Sequence, residues 1–268
     1  MNAIAGHVRT WIERGIAAAP AGHAPLLFLS GPQGSGKSTA LRDAIDAMPV
    51  PVAGVGIDDF YLTRADREAL ARQTSALFRT RGPPGTHDLT LLNRTITSLQ
   101  QAVPETVTPI PVFDKLADDR EPMAGWRHFR GRPAAIVIEG WLMGALPDPT
   151  APRSPPLNAV EEEDLTGAFR RYQETALAGS YARLWDLAGG FCHIVPPGFE
   201  YVLAWRLQQE ATLWAERGEP MPDDRRAWVT RFIQHYERIS RRMIAGRRRD
   251  GTVIHIDAVR DVIRTSGV

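Results

Sequence analysis

A chain of 268 residues with 43% hydrophobic and 24% charged content can bury a sizeable core, which predicts one compact α/β domain carrying an insertion. A formal net charge of +1 leaves no whole-molecule field to draw nucleic acid or an anionic membrane, so neither is an expected partner. The single cysteine, Cys192, excludes an internal disulfide and fits a reducing, cytoplasmic setting, and no apolar run is long enough to cross a bilayer.

The first twenty residues, MNAIAGHVRTWIERGIAAAP, spread their charges throughout and read as a short amphipathic helix, not a secretory signal. Next comes LLFLSGPQGSGKST, in which the apolar run Leu26 to Leu29 suits a buried strand and breaks at Ser30 into a glycine-rich turn. Residues Gly31 to Ser38 match G-x-x-x-x-G-K-[ST], the P-loop pattern. Gly31, Gly34 and Gly36 are expected at positive φ, so that successive N–H groups cradle an anion at the start of the next helix. The loop Gly31, Gln33, Gly34, Ser35, Gly36, Lys37, Ser38 and Thr39 is therefore expected to hold a triphosphate. Lys37 would reach the β- and γ-phosphates, and the Ser38 hydroxyl would ligate the Mg²⁺ that bridges them.

Short apolar strands, predicted at 25–30, 52–57, 134–139, 192–195 and 253–256, alternate with helices predicted at 37–47, 64–71, 89–101, 167–187, 199–217 and 223–244. That alternation predicts a central parallel sheet with helices on both faces, which binds ligands at the carboxyl ends of its strands. Two strands end in carboxylates at that edge. VAGVGIDDFYL leads to Asp58, placed to take the proton of an attacking hydroxyl. Beside it, Asp59 would hold the metal through water, support the loop or cap a turn. AAIVIEGWLMG leads to Glu139, where a P-loop protein keeps a metal-tuning acid.

Between those strands, FRTRGPPGTHD (78–88) and PVFDKLADDR (111–120) form a proline-fixed insertion of mixed charge, suited to recognising a small acceptor. An anionic acceptor would use Arg81, Lys115 or Arg120; His87 and Asp88 would serve the acceptor or cap the following helix. Segment 146–156 is too rich in proline for anything but a surface loop. In the helix at 199–217, Arg206 would close over a transferring phosphoryl group as a lid residue, or pair with Glu210 at i, i+4. Asp223 or Asp224 would cap the next helix, whose Trp228, Phe232, Tyr236, Ile239 and Met243 recur as a core-facing stripe. Arg247, Arg248 and Arg249 read as a solvated loop.

Taken together, GPQGSGKST, IDDFYLT, FRTRGPPGTHD, PVFDK with the downstream DDR, IVIEGW, LAWRLQQE, and PMPDD leading to RFIQHYER occur in an order that resembles the D-glycerate 3-kinase family. This is a branch of the P-loop kinases related to uridine kinase, pantothenate kinase and phosphoribulokinase. The resemblance spans about residues 26–257, and DDFYLT, RGPPGTHD and WRLQQE are its more specific parts. It implies a P-loop NTPase fold with an acceptor-binding insertion at about 60–132 and a helical lid at about 199–222. It also implies ATP and Mg²⁺ as cofactors and D-glycerate as the small-molecule partner, giving ADP and 3-phosphoglycerate. Carried over position by position, it implies phosphate binding by Gly34 to Thr39, a general base at Asp58 and metal contacts from Ser38, Glu139 and Asp58. Acceptor contacts would come from Asp59, Tyr61, Arg81, His87, Asp114, Lys115 and Arg120, with Lys37 and Arg206 as catalytic cations. Related nucleoside kinases carry several lid arginines. Here glutamines follow Arg206, so further charge is expected from Arg217 or the acceptor loops. Another small alcohol as acceptor, or a nucleotide-gated regulatory NTPase, are the alternatives.

Overall fold

The structure, a computed structural model, describes residues 3–216 and 218–267, so Arg217 lies outside the described residues. Its strands are β1 (Leu26–Ser30), β2 (Val52–Gly56), β3 (Val107–Ile110), β4 (Phe113–Asp114), β5 (Asp119–Arg120), β6 (Arg127–Arg130), β7 (Ala135–Gly140), β8 (Gly190–Val195), β9 (Thr252–Ile256) and β10 (Val262–Ser266). The helices are α1 (Ala3–Ala18), α2 (Lys37–Asp46), α3 (Arg64–Gln73), α4 (Leu89–Gln100), α5 (Ala159–Glu162), α6 (Ala168–Ala176), α7 (Ala182–Trp185), α8 (Phe199–Ala215), α9 (Asp223–Gln234) and α10 (Glu237–Ile244). Among the described residues, no helix is long and apolar enough to cross a membrane.

Six strands form one sheet in the order β10-β9-β8-β1-β7-β2, parallel except for β10. Burial on both faces explains the near-continuous apolar runs of the inner strands. Along β1, Leu26 and Phe28 join one core with Ile136, Ile138, Trp141 and Trp185, while Leu27 and Leu29 join another with Val137, Cys192, Ile194 and Ile12 of α1. Cys192 is fully buried core filler, and burial pushes its thiol far above its ordinary value. Register then fixes the functional edge: Leu29 and Gly56 both lie opposite Glu139, so the P-loop, the Asp58–Asp59 turn and Glu139 leave the sheet side by side.

Four expectations change, two of them at the level of elements. The helix expected at 167–187 divides into α6, a π-helical stretch at Leu177–Tyr181 and α7, and the widened turn delivers Tyr181 to the back of the Gly-Pro-Pro-Gly loop. The helix expected at 223–244 breaks at His235 and Tyr236, where the chain tightens to i, i+3 bonds and Tyr236 drops into the core against Trp141. Trp228 leaves the core stripe: it is 40% exposed, stacked on Phe232 with the Arg225 guanidinium 4.1 Å from its ring centre. Nor does Asp223 or Asp224 cap α9, whose N-cap is Pro222. Strand β10 and the two small hairpins, β3 with β6 and β4 with β5, have no counterpart in the sequence reading, since strands of two to five residues carry little periodicity.

Candidate active site

A cleft of about 430 Å³ opens at the carboxyl edge of the sheet, floored by Gly36, Lys37 and Ser38 and walled by Asp58, Glu139 and Arg206. Two of the three P-loop glycines meet the backbone expectation, with φ of +78° at Gly34 and +83° at Gly36. Gly31 is not at positive φ. What it needs is space, because a Cβ there would lie 2.8 Å from Ser35 Oγ and 3.2 Å from Ile194. Gln33 and Thr39 line the cleft with the glycines, whereas Ser35 is fully buried behind them.

Ser38 Oγ donates to Glu139 Oε1 at 2.7 Å, and Lys37 Nζ lies 3.9 Å from the other carboxylate oxygen. A hydroxyl and a carboxylate side by side form a hard-oxygen donor set that fits Mg²⁺. Among the described residues, no cluster of three or more His, Cys, Asp or Glu side chains could hold a metal alone.

Across the P-loop, Asp58 accepts from Tyr61 Oη at 2.6 Å on one oxygen and from Lys115 Nζ at 3.2 Å on the other. Burial pushes its carboxyl up, but Lys115, Lys37 and the Tyr61 hydroxyl together outweigh that and hold it well below the usual carboxylate range. Lys115 is shifted up in turn, chiefly by Asp58. Asp59 moves the other way: burial raises it against the opposing pull of Arg127, whose Nη2 lies 2.6 Å from Asp59 Oδ2. The two neighbouring aspartates thus differ because two lysines and a hydroxyl outweigh burial at Asp58, whereas Arg127, the Phe113 amide and Lys115 do not outweigh burial and the Asp58 charge at Asp59.

Of the acceptor residues expected from sequence, Asp59, Tyr61, Arg81 and Lys115 line the cleft and three do not. His87 is buried behind Tyr61, its ring 4.9 Å from the Tyr61 ring and its Nδ1 2.6 Å from Tyr181 Oη; burial lowers it to about 4. Asp114 folds back on its own turn, accepting from the Leu116 and Ala117 amides. Arg120 braces the Tyr61 carbonyl at 2.9 Å and Asp88 at 3.2 Å. Asp88 itself caps α4 through the Leu91 amide. Each is taken up by the protein itself: His87 by the Tyr181 hydroxyl, Asp114 by turn amides, and Arg120 by a carbonyl and the Asp88 carboxylate.

Arg206 lines the cleft and makes the expected i, i+4 pair with Glu210 at 2.9 Å, while Glu210 also accepts from Arg225 at 2.6 Å. The arginines at 247–249 are not free in solvent. Arg247 reaches Asp148, Arg248 the Met243 carbonyl and Arg249 Asp186. Other residues enter the site unannounced. Asp118 holds both Arg81 and the buried Arg67, fixing the loop that carries Arg81 from behind. Tyr236 and Phe232, expected only in the core, also wall the cleft, and Tyr236 Oη donates to the Arg81 carbonyl at 2.7 Å. Pairings between residues this far apart in sequence leave no local pattern to read.

No protein-family model matches the chain. An uncharacterised kinase of Schizosaccharomyces pombe, mug58, is 32% identical over 227 residues, covering 81% of this chain and 80% of that protein. The chloroplastic D-glycerate 3-kinase of Arabidopsis thaliana is 27% identical over 227 residues, covering 80% of this chain and 47% of that protein. Among solved structures, D-glycerate 3-kinase from Cryptococcus neoformans superposes along the whole of both chains with a TM-score of 0.81 at 24% identity, which establishes a shared fold.

Proposed function

Because the chain belongs to the P-loop kinase family of the S. pombe relative, we propose that it transfers the γ-phosphoryl group of ATP to a hydroxyl of D-glycerate, giving 3-phosphoglycerate. The observation that carries this reading is the position of Asp58: an unprotonated carboxylate in the same cleft as Lys37, Ser38 and Glu139. A base facing a phosphate loop suits transfer to an alcohol. Cations on the acceptor side, Arg81, Lys115 and Arg206, suit an acceptor that carries its own carboxylate.

In this mechanism the P-loop amides and Lys37 hold the phosphates, and Asp58 accepts the hydroxyl proton late, as a loose transition state requires little base strength. Ser38 and Glu139, with Asp58 facing them, would hold Mg²⁺, which would supply neutralisation of phosphate charge. Tyr61 and Lys115 orient Asp58; Arg206 on α8 balances charge on the transferring group. In this reading the segment at about 60–132, which contributes Arg81 and Lys115 to the cleft, serves as the acceptor insertion, and about 199–222 serves as the lid.

An ADP-release screen over hydroxy acids, nucleosides and pantothenate, with products identified by mass, tests the proposal. D-glycerate is expected to accelerate release most and to gain one phosphoryl group. Acceleration by another alcohol alone would replace the acceptor, and release of inorganic phosphate alone would refute the kinase reading.

A further inference from the structure

The C-terminal hairpin touches the phosphate loop at one point. Arg260, in the turn between β9 and β10, sits at φ +72°, a left-handed conformation that is strained for an arginine. Its Nε donates to the Gly34 carbonyl at 2.6 Å, and its Nη2 reaches Gln208 Oε1 on α8 at 3.3 Å. The guanidinium lies 5.0 Å from the centre of the Trp205 ring, and Trp205 Nε1 returns a bond to the Ala258 carbonyl of the same turn at 2.9 Å. Gly34 has no room for a side chain here, because a Cβ would lie 2.5 Å from Trp205 Cβ.

Each contact bears on the cleft. Within the phosphate loop, the Ser35 amide closes a turn onto the Pro32 carbonyl at 3.3 Å, which leaves the Gly34 oxygen facing outward for Arg260. Tying that oxygen back fixes the peptide that leads into Gly36, Lys37 and Ser38, whose amides open α2 and have no partners within the helix. On α8, Trp205 and Gln208 face the hairpin while Arg206 and Gln209 face the cleft. A grip on the first pair sets the rotation of the second.

We infer that Arg260 is a positioning residue for nucleotide binding: it locks the phosphate loop and the lid helix into one arrangement without touching the cleft. The strained backbone fits that role, since it is held by a turn side chain that reaches both the phosphate loop and α8.

The test measures the Kd of β,γ-imido-ATP with Mg²⁺ by calorimetry, beside thermal unfolding, on the whole chain. Arg260→Ala is expected to weaken binding about tenfold, roughly the worth of one charge-assisted hydrogen bond. Arg260→Lys keeps one donor for Gly34 and should recover part of the loss. Arg260→Gly removes backbone strain along with the side chain, so its unfolding midpoint should exceed that of Arg260→Ala while its Kd stays equally weak. Arg264→Ala alters an exposed side chain of the same hairpin, bonded to His255, and should leave the Kd unchanged. Wild-type affinity in both Arg260→Ala and Arg260→Gly, whatever their midpoints, would overturn the inference, as would equal weakening by Arg264→Ala. Neither outcome depends on the acceptor, so the D-glycerate proposal stands or falls separately.

Discussion

The Tyr61 hydroxyl donates to Asp58 Oδ1 at 2.6 Å, and the ring behind that hydroxyl is gripped by His87 at 4.9 Å and by the edge of Phe113 at 5.1 Å between centroids. A side chain packed between two rings and bonded to Asp58 serves that carboxylate more directly than it serves a ligand. Tyr61→Phe should therefore lower kcat by about 10- to 100-fold, the worth of one hydrogen bond to a charged group. Steady-state kinetics should show KM for ATP and acceptor nearly unchanged; a raised acceptor KM with normal kcat would return Tyr61 to substrate binding.

Lys115 bonds Asp58 and sits on the loop between β4 and β5, a different element from the phosphate loop. Lys115→Met should raise the acceptor KM at least about tenfold while the Kd for ATP stays within about twofold. Equal losses for both substrates would mean that Lys115 serves the nucleotide instead.

Sequence and structure agree where the signal is local and part where it is not. The phosphate loop, Asp58 and Glu139 were legible because each follows a short buried strand, and parallel pairing brings their ends together without further information. Reading charge in the proline-rich insertion proved less specific: Arg81 and Lys115 reach the cleft, but Asp114, Arg120 and His87 are taken up by turns, carbonyls and Tyr181. Nothing in the sequence marks Asp118 as the anchor of Arg67 and Arg81, or ties Arg260 to a glycine 226 residues away. Helical spacing correctly put Tyr236, Ile239 and Met243 in the core, yet overreached at Trp228, which lies beyond the break in that helix.

Gly82 tests whether the Gly-Pro-Pro-Gly turn is set by backbone conformation. Its φ is +106°, and a Cβ would lie 2.0 Å from the Tyr236 hydroxyl, the same hydroxyl that holds the Arg81 carbonyl. Gly82→Ala should cost about 1–3 kcal/mol of stability by urea denaturation and loosen Arg81 as well. An unchanged midpoint would show that the turn accepts a side chain.

Three buried histidines, His87, His193 and His235, are each pushed by burial down to about 4 from an ordinary value of 6.5. Their folded values are depressed, so the unfolded chain takes up more protons across that window. The contribution to stability is complete above about pH 6.5 and is lost as pH falls towards 4. Unfolding free energy measured between pH 4 and 8 should fall on the acid side, and His87→Gln should flatten that slope relative to its own value at pH 8. A slope unaltered by the substitution would show that His87 does not titrate in this way.

The most direct measurement is a single-turnover assay with D-glycerate and saturating ATP, comparing wild type with Asp58→Asn. Phosphorylated glycerate should form in the wild type and slow by about 10²- to 10⁴-fold in the variant, with ATP affinity nearly intact. Equal rates in the two proteins would remove Asp58 from the base role, and inorganic phosphate without phosphorylated glycerate would contradict the kinase account itself.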